Sequence, residues 1–264
     1  MRVLAVHADV IVMISRFWQT TCTAVRAGDE GFVIDSPVYP DELEGVAGVL
    51  EQAGFPVSGL LTTHADWDHL LGRIAFPEAS LGCGESTAGR LAAEPGQAQR
   101  ELREFDEEHY VDDRPPLRLA GIQSLPVPGR LSLGGGDCEL ELHPADGHTS
   151  DGTAYYIPWL EVLVCGDYLS PVEIPWISED GSVDAYLATL QRLRALIESA
   201  QTIVPGHGRP LDRADATRVL DEDVAYLGAL LTGLEAHLPA GRRTGAQRRI
   251  HAENMQRAST LPPT

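Results

Sequence analysis

The order of strand-like and helix-like segments predicts an α/β fold, and an αββα sandwich, in which two mixed β-sheets pack face to face with helices outside, would satisfy it. Strand-like segments precede helix-like segments in both halves of the chain, and short turns rich in glycine and proline separate them. In such a sandwich each sheet has one face covered by helices and the other packed on its partner. The order of segments satisfies this requirement.

The first part of the chain alternates in the manner of strands joined by tight turns. Strands are predicted at residues 10–14, 20–27, 32–35 and 57–62. A helix is predicted over 41–53, because apolar side chains recur there at helical spacing and Gly54 follows the last of them. The chain then runs directly from a strand into His64.

The second part repeats the order of strands and helices. Helices are predicted over 85–93, 97–109, 183–199 and 214–237. Strands are predicted over 138–143, 153–157, 162–165 and 202–204. The proline-rich stretch 113–128 is predicted to be an irregular connection or a loop that faces the substrate.

The length of 264 residues and a hydrophobic content of 43% allow a full core, and no linker-like segment divides the chain. One domain over residues 1–240 is therefore predicted. The segment 241–264 that follows is basic, and two alternatives are open for it: it packs near the functional site, or it is mobile.

The formal net charge of -19 disfavours binding to nucleic acid and to anionic membranes, so a small-molecule substrate is expected. All 20 basic residues are arginine, which excludes lysine-based chemistry such as Schiff bases and the P-loop. No signal-peptide pattern opens the chain and no apolar run approaches the ~20 residues of a membrane span, so a cytoplasmic protein is predicted. The sequence leaves the oligomeric state open, a dimer included.

Four segments carry metal-ligating side chains, and each falls where a predicted strand gives way to a turn. They are 63–69 (THADWDH), 147–149 (GHT), 166–167 (GD) and 205–208 (PGHG). Residues two apart in an extended segment point the same way, so His64 and Asp66 can grip one ion while Asp68 and His69 reach a second. Imidazole and carboxylate together suit zinc, iron or manganese, and a pair of such ions supports hydrolysis.

These segments resemble the ordered motifs HxHxDH, GHT, GD and PGH of the metallo-β-lactamase superfamily, over about residues 10–210. The resemblance implies that one metal is held by His64, Asp66 and His148, the other by Asp68, His69 and His207, with Asp167 bridging. It also implies that the site binds two divalent metal ions, with zinc as the first expectation. Asp66 stands where the family usually has histidine, and this extra carboxylate favours iron or manganese as alternatives.

The resemblance also implies a metal-dependent hydrolase that uses a metal-bound hydroxide to cleave a small ester, thioester or lactone, as in glyoxalase II and the lactonases. Two residues are expected to be catalytic. Asp68 is expected to orient the hydroxide or move its proton. Tyr168, directly after Asp167, is expected to donate a hydrogen bond to a substrate oxygen.

Two alternatives to hydrolysis are open. The first is a di-iron or mono-iron redox enzyme, similar to the flavodiiron proteins or the persulfide dioxygenases, and an acidic residue at position 66 favours it. The second is a non-catalytic member of the fold that still binds metal. The motifs therefore predict the scaffold more firmly than the substrate.

Overall fold

The computed structural model describes residues 1–136, 138–232 and 236–260, with side chains described up to residue 258. The strands are β1 (Arg2–His7), β2 (Val10–Ile14), β3 (Thr21–Ala27), β4 (Glu30–Asp35), β5 (Gly59–Leu61), β6 (Leu81–Gly84), β7 (Gln123–Leu125), β8 (Gly129–Leu133), β9 (Cys138–Pro144), β10 (Thr153–Ile157), β11 (Val162–Val164), β12 (Thr202–Val204) and β13 (Leu211–Asp212). The helices are α1 (Pro40–Ala53), α2 (Gly72–Ala75), α3 (Glu85–Ala93), α4 (Gln97–Glu108), α5 (Val183–Ser199), α6 (Arg213–Thr232) and α7 (Gly245–Thr260).

The strands of the described ranges form two mixed sheets. In the first sheet the order is β1-β2-β3-β4-β5-β6-β7, antiparallel as far as β4 and parallel from β4 to β7. In the second the order is β13-β12-β11-β10-β9-β8, with β11 and β12 parallel and the other neighbours antiparallel. Both sheets thus combine hairpins with crossovers.

Alternation along the strands builds the core between the sheets. In β2, Val10 and Val12 point toward the other sheet, whereas Ile11 and Met13 point toward the helices. In β11, Val162 faces the first sheet and the next side chain faces the opposite way. Successive side chains of a strand point to opposite faces, so each strand contributes to two apolar layers.

Helices cover the two outer faces. On the first sheet, α1 and α4 bury apolar side chains; on the second, α5 and α6 do so. The predicted αββα sandwich is therefore confirmed. No helix within the described ranges is both long enough and apolar enough to cross a bilayer.

The structure contains elements that were not predicted, namely β1, β6, β7, β8, β13, α2 and α7, and one predicted helix is shorter than expected. Strand β1 was not predicted; it is an edge strand with one neighbour, and its side chains are exposed or half-buried. Residues 123–125, inside the predicted irregular stretch, form β7. The helix predicted over 214–237 ends at Thr232; residues 236–239 are not helical, and residues 233–235 lie outside the described ranges.

Helix α7 packs on the loop that follows β11, residues 170–177. The Gln247 Oε1 accepts a hydrogen bond from the Ile174 backbone N–H at 2.7 Å. The Asn254 Oδ1 accepts one from the Ile177 N–H at 3.0 Å, and its Nδ2 donates to the Pro175 carbonyl at 2.6 Å. Both amide side chains belong to buried residues, so α7 fixes the backbone of this loop.

Arg242, which precedes α7, also holds the loop 170–177 by hydrogen bonds. Its side chain is 1% exposed, and its Nη1 lies 2.5 Å from Asp223 Oδ1 on α6. The same guanidinium donates to the carbonyls of Ser170 and Glu173 at 3.3 and 2.9 Å, and to Glu222 Oε2 at 2.9 Å. A buried cation with this many acceptors ties the C-terminal segment to α6 and to the loop.

Replacing Arg242 with Met should destabilise the protein, because Asp223 is then left buried without its counter-charge. The expected loss is about 3–5 kcal/mol in the free energy of unfolding, measured by urea denaturation. Arg218 is the matched control, since it also pairs with Glu222 but is 52% exposed. Arg218→Met should cost less than about 1 kcal/mol. Equal losses in the two variants would contradict the structural role given to Arg242.

Candidate metal centre

The first motif forms a loop and one tight turn directly after β5. Asp66 has an extended backbone and begins the turn Trp67–His69, which is closed by a hydrogen bond from the His69 N–H to the Asp66 carbonyl at 3.1 Å. Because the backbone turns at this point, Asp68 and His69 reach a point next to that of His64 and Asp66, and the His64 and His69 ring centroids lie 4.2 Å apart. Four metal-ligating side chains in six residues thus divide into two pairs.

The first pair meets His148 and Asp167. The Nε2 of His148 lies 3.4 Å from Asp66 Oδ2 and 3.3 Å from Asp167 Oδ2. The Nε2 of His64 lies 3.5 and 3.8 Å from the same two oxygens. His64, His148 and Asp167 each bring one ligand atom within 4.8 Å of the others, and Asp66 contacts both histidines of this group.

The second pair meets His207 and, again, Asp167. The Nε2 atoms of His69 and His207 lie 3.6 and 3.7 Å from Asp68 Oδ2. They also lie 3.1 and 3.3 Å from the Asp167 oxygens. Asp167 is therefore in contact with both groups. All seven predicted metal residues converge, and their role as ligands stays a prediction.

The other ring nitrogen of each histidine lies close to a polar neighbour, and that of His64 is 3.0 Å from Thr63 Oγ1. His69 Nδ1 lies 3.0 Å from Asp35 Oδ2. The Nδ1 of His148 is 2.9 Å from the Trp176 carbonyl, and that of His207 is 3.2 Å from the Trp18 carbonyl. Such contacts fix the ring orientation and leave Nε2 facing inward, as in metal sites.

The buried polar atoms of the cluster fit divalent cations. Within the described residues, the Nε2 atoms of His64, His69 and His148 and the Oδ1 of Asp167 have no hydrogen-bond partner. An unpaired buried polar atom is costly, and several that face one another indicate a ligand between them. Imidazoles and carboxylates are ligands for zinc, iron and manganese, so the residues present fit the predicted ions.

The pKa shifts of the clustered side chains also indicate a site that binds cations. Burial disfavours the charged form of His148, but the neighbouring carboxylates of Asp66 and Asp167 outweigh burial and raise its pKa to about 9. His207 is also buried, yet the charges of Asp167 and Glu173 raise its pKa to about 10. Despite burial, the facing histidines hold the pKa of Asp66 and of Asp167 well below the usual range. The cluster therefore strongly attracts positive charge.

Arg90 of α3 binds the residue at which the motif departs from the family pattern. Its Nη1 donates to Asp66 Oδ1 at 2.8 Å and to Asp151 Oδ1 at 2.9 Å. Asp151 is 1% exposed, and its Oδ2 accepts the Ala65 N–H at 2.9 Å. One oxygen of Asp66 is thus held by Arg90, while the other faces His64 and His148. The arginine offsets the additional carboxylate.

Tyr168 does not occupy the predicted position. Its side chain is buried, its hydroxyl donates to the Asp146 carbonyl at 2.7 Å, and it accepts the His148 N–H at 3.0 Å. With its proton committed to a carbonyl, the hydroxyl cannot donate to a substrate oxygen. The prediction of a catalytic Tyr168 is corrected accordingly: this side chain positions the loop that carries His148.

Sequence reasoning missed Asp35 and Arg90. Asp35 is a polar residue at the end of a buried strand, the same signal that marked the four motif segments, and attention to strand ends would have found it. Arg90 lies within a helical pattern and 24 residues from Asp66. Nothing in the sequence pairs the two.

A cavity of about 290 Å³ opens above the cluster. Asp66, Asp68, His148, Asp167 and His207 form part of its wall. The remaining lining is mixed and comes largely from the loop after β11 and from α7, with Glu173, Ile174, Trp176, Gln247, Ile250 and Glu253 among its residues. The reactive groups thus face a space the size of a small molecule.

Asp66→Asn should weaken metal binding at least tenfold, because the variant loses one anionic ligand from the group with His64 and His148. Competition titrations of zinc and manganese against a chromophoric chelator measure the effect. Asp180→Asn is the matched control. Asp180 Oδ2 also lies near Arg90, at 3.8 Å, but among the described residues it contacts no histidine of the cluster. Equal affinities in the two variants would show that Asp66 is not a ligand.

Gly206→Ala should lower the metal content, because a Cβ atom at this position would overlap Asp167 Oδ1 and displace the shared carboxylate. Elemental analysis and thermal unfolding of the purified variant test this. Gly228→Ala in α6 is the control, since nothing lies within 4 Å of its added Cβ. A folded Gly206→Ala protein with the full metal content of the wild type would refute the close packing of Gly206 against Asp167.

Comparison with known proteins agrees with this site. Residues 15–207 match the family described as the metallo-beta-lactamase superfamily. The hydroxyacylglutathione hydrolase of Rhodospirillum rubrum is 27% identical over 246 residues, which are 92% of this chain and 82% of that protein.

Solved structures share the fold. The metallo-beta-lactamase family protein TTHA1429 from Thermus thermophilus superposes with a TM-score of 0.66 at 19% identity, covering 98% of this chain and 96% of the other. The protein TTHA1623, solved in a di-iron-bound form, gives a TM-score of 0.61 at 21% identity, covering 79% and 97%. The matched residues include every motif from which the resemblance was inferred, and the chain belongs to the metallo-β-lactamase superfamily.

Proposed function

We propose that this chain is a metal-dependent hydrolase of small esters, thioesters or lactones. The observation that carries the proposal is the pair of ligand groups that share Asp167 at the wall of a small-molecule cavity. Membership of the superfamily and the relative named as a hydroxyacylglutathione hydrolase support hydrolysis. The choice of esters, thioesters or lactones as the substrate class rests on the resemblance to glyoxalase II and the lactonases.

Two divalent ions held by these side chains would supply Lewis acidity and lower the pKa of a water molecule. His64, Asp66 and His148 would hold one ion and Asp68, His69 and His207 the other, with Asp167 between them. We expect the Asp68 carboxylate to take a proton from the attacking water, and its position in the cavity wall supports this role. Ile174 and Trp176 line the same cavity and would keep bulk water from a bound acyl group.

Zinc is the metal that we expect first. Iron and manganese are alternatives, because Asp66 adds a carboxylate to the site. The cluster has three facing carboxylates, which favours harder ions, but Arg90 holds one oxygen of Asp66 and offsets its charge. The same guanidinium is shared with buried Asp151, so it offsets the charge of Asp66 in part. This compensation supports zinc.

Metal removal and reconstitution test the proposal. Protein purified without added metal is analysed for its elements, stripped with a chelator and reloaded with zinc, manganese or iron. It is then assayed on p-nitrophenyl acetate, S-lactoylglutathione and an acyl-homoserine lactone. We expect hydrolysis of at least one substrate by the loaded protein, and a loss of more than about 100-fold in Asp167→Asn, because this variant removes the shared ligand.

Asp215→Asn is the control for the loss of one carboxylate, since Asp215 lies on α6, forms an ion pair with Arg209 and does not belong to the cluster. It should retain wild-type activity. A protein that takes up less than half an equivalent of any of the three metals would rule out the hydrolase. So would a fully loaded protein that cleaves none of the substrates.

An iron-dependent redox enzyme is the second candidate, and Asp66 is the observation that favours it. The third carboxylate suits iron, and the structural relative TTHA1623 was solved with two irons. Consumption of oxygen by the iron-loaded protein in the presence of a persulfide or an external electron donor would support this function. Hydrolysis by the zinc-loaded protein without such consumption would exclude it.

A further inference from the structure

Glu173 is a carboxylate in the cavity that the metal centre does not use. Its carboxyl group lies within electrostatic reach of His207, Asp167 and Asp68, which line the same cavity. Within the described ranges, no hydrogen bond or ion pair is recorded for this carboxylate, although most of the residue is buried. Burial raises the pKa of Glu173, which reflects the cost of holding this charge without a partner.

The backbone of Glu173 is fixed from three sides. Its N–H donates to Ser170 Oγ at 3.0 Å and its carbonyl accepts from Arg242 Nη1 at 2.9 Å. The next N–H, of Ile174, donates to Gln247 Oε1 at 2.7 Å. A carboxylate on such a rigid support is preorganised, which is a property of groups that recognise a ligand.

Charge counting shows that the metals alone would not neutralise Glu173. Two divalent ions would be balanced by Asp66, Asp68 and Asp167 together with Asp35 behind His69. Arg90 is balanced by its buried partner Asp151. The negative charge of Glu173 is therefore left for a group that enters with the substrate.

The walls around Glu173 suit an organic cation. Trp18 and Trp176 line the cavity together with Ile174, Pro175 and Ile250. Aromatic faces beside a carboxylate attract an alkylammonium group through its charge and accept its aliphatic part. Arg249 also lines the cavity and lies exposed on α7. Its positive charge would favour an anionic substrate, which is the competing expectation.

We propose that Glu173 selects substrates whose acyl part carries an ammonium group next to the scissile carbonyl. This inference rests on the proposed hydrolase function and narrows its substrate class to cationic esters, thioesters or lactones. Glu173 binds the ammonium group, while the metal centre acts on the carbonyl group. In this role Glu173 determines specificity and is not a metal ligand.

A matched pair of substrates tests the proposal. L-Alanine p-nitrophenyl ester and p-nitrophenyl propionate differ only in the α-ammonium group, and comparison of wild type with Glu173→Gln cancels their different intrinsic reactivity. The variant should lower kcat/KM for the alanine ester by roughly 10-fold to 100-fold, as expected for the loss of a charge-assisted hydrogen bond. For the propionate ester the change should be less than about threefold.

Glu198→Gln is the control variant, because it removes the same charge from an exposed position on α5. This variant should leave kcat/KM unchanged for both esters. Metal content and thermal stability of Glu173→Gln are measured in parallel. Loss of bound metal in this variant would make Glu173 a ligand and overturn the proposal, as would equal losses on the two esters. A preference of the wild type for p-nitrophenyl hemisuccinate that disappears in Arg249→Gln would also overturn it.

Binding without hydrolysis separates this inference from the proposed function. L-Alaninamide and propionamide are titrated into the metal-loaded protein, and quenching of tryptophan fluorescence is followed. Alaninamide should bind the wild type at least tenfold more tightly than it binds Glu173→Gln, and propionamide should bind both alike. If neither ester is cleaved but this difference is found, the hydrolase function fails and the cation site stands. If alaninamide binds both proteins equally, the inference fails.

Discussion

Three aspartates and four histidines face one another in a single cleft, with side chains no more than 17% exposed. So much buried charge is tolerable only if positive charge is shared among the carboxylates. Asp167 is the centre of this constraint, because its two oxygens contact histidines of both groups. The positions of the surrounding loops follow from the need to bring these groups together.

The sandwich meets this need through its topology. The loops that carry the ligands leave β5, β9, β11 and β12, strands that belong to two different sheets. Backbone hydrogen bonds join the sheets at this edge: the Thr21 N–H donates to the Gly206 carbonyl at 2.7 Å, and the Thr153 N–H to the Thr63 carbonyl at 2.8 Å. Ligands from both sheets can therefore be held at fixed distances, as a metal site requires.

The loop after β11 links the cluster to the C-terminal helix. Its Trp176 carbonyl orients His148, and its Glu173 and Ile174 line the cavity. Helix α7 and Arg242 in turn hold this loop by hydrogen bonds to its backbone. Of the two alternatives left open for the basic C-terminal segment, the structure thus shows packing near the site, where α7 contributes one wall of the cavity.

The sequence by itself determined the α/β class and the seven residues of the cluster, because alternation along strands and motifs at strand ends are local patterns, and the resemblance of those motifs to a family implied the αββα arrangement. It also identified Asp66 as a departure from the family pattern. The partner of Asp66, Arg90, was decided only by the tertiary structure, which brings α3 against the first motif.

The same holds for Glu173 and Tyr168. Both follow Asp167 closely in sequence, yet one side chain lines the cavity and the other is bonded to the backbone of the loop that carries His148. Local patterns specify which residue types are present and which way a strand side chain points. Which charges meet, and which carboxylate is left without a partner, depends on contacts between segments distant in the chain, and only the folded structure contains them.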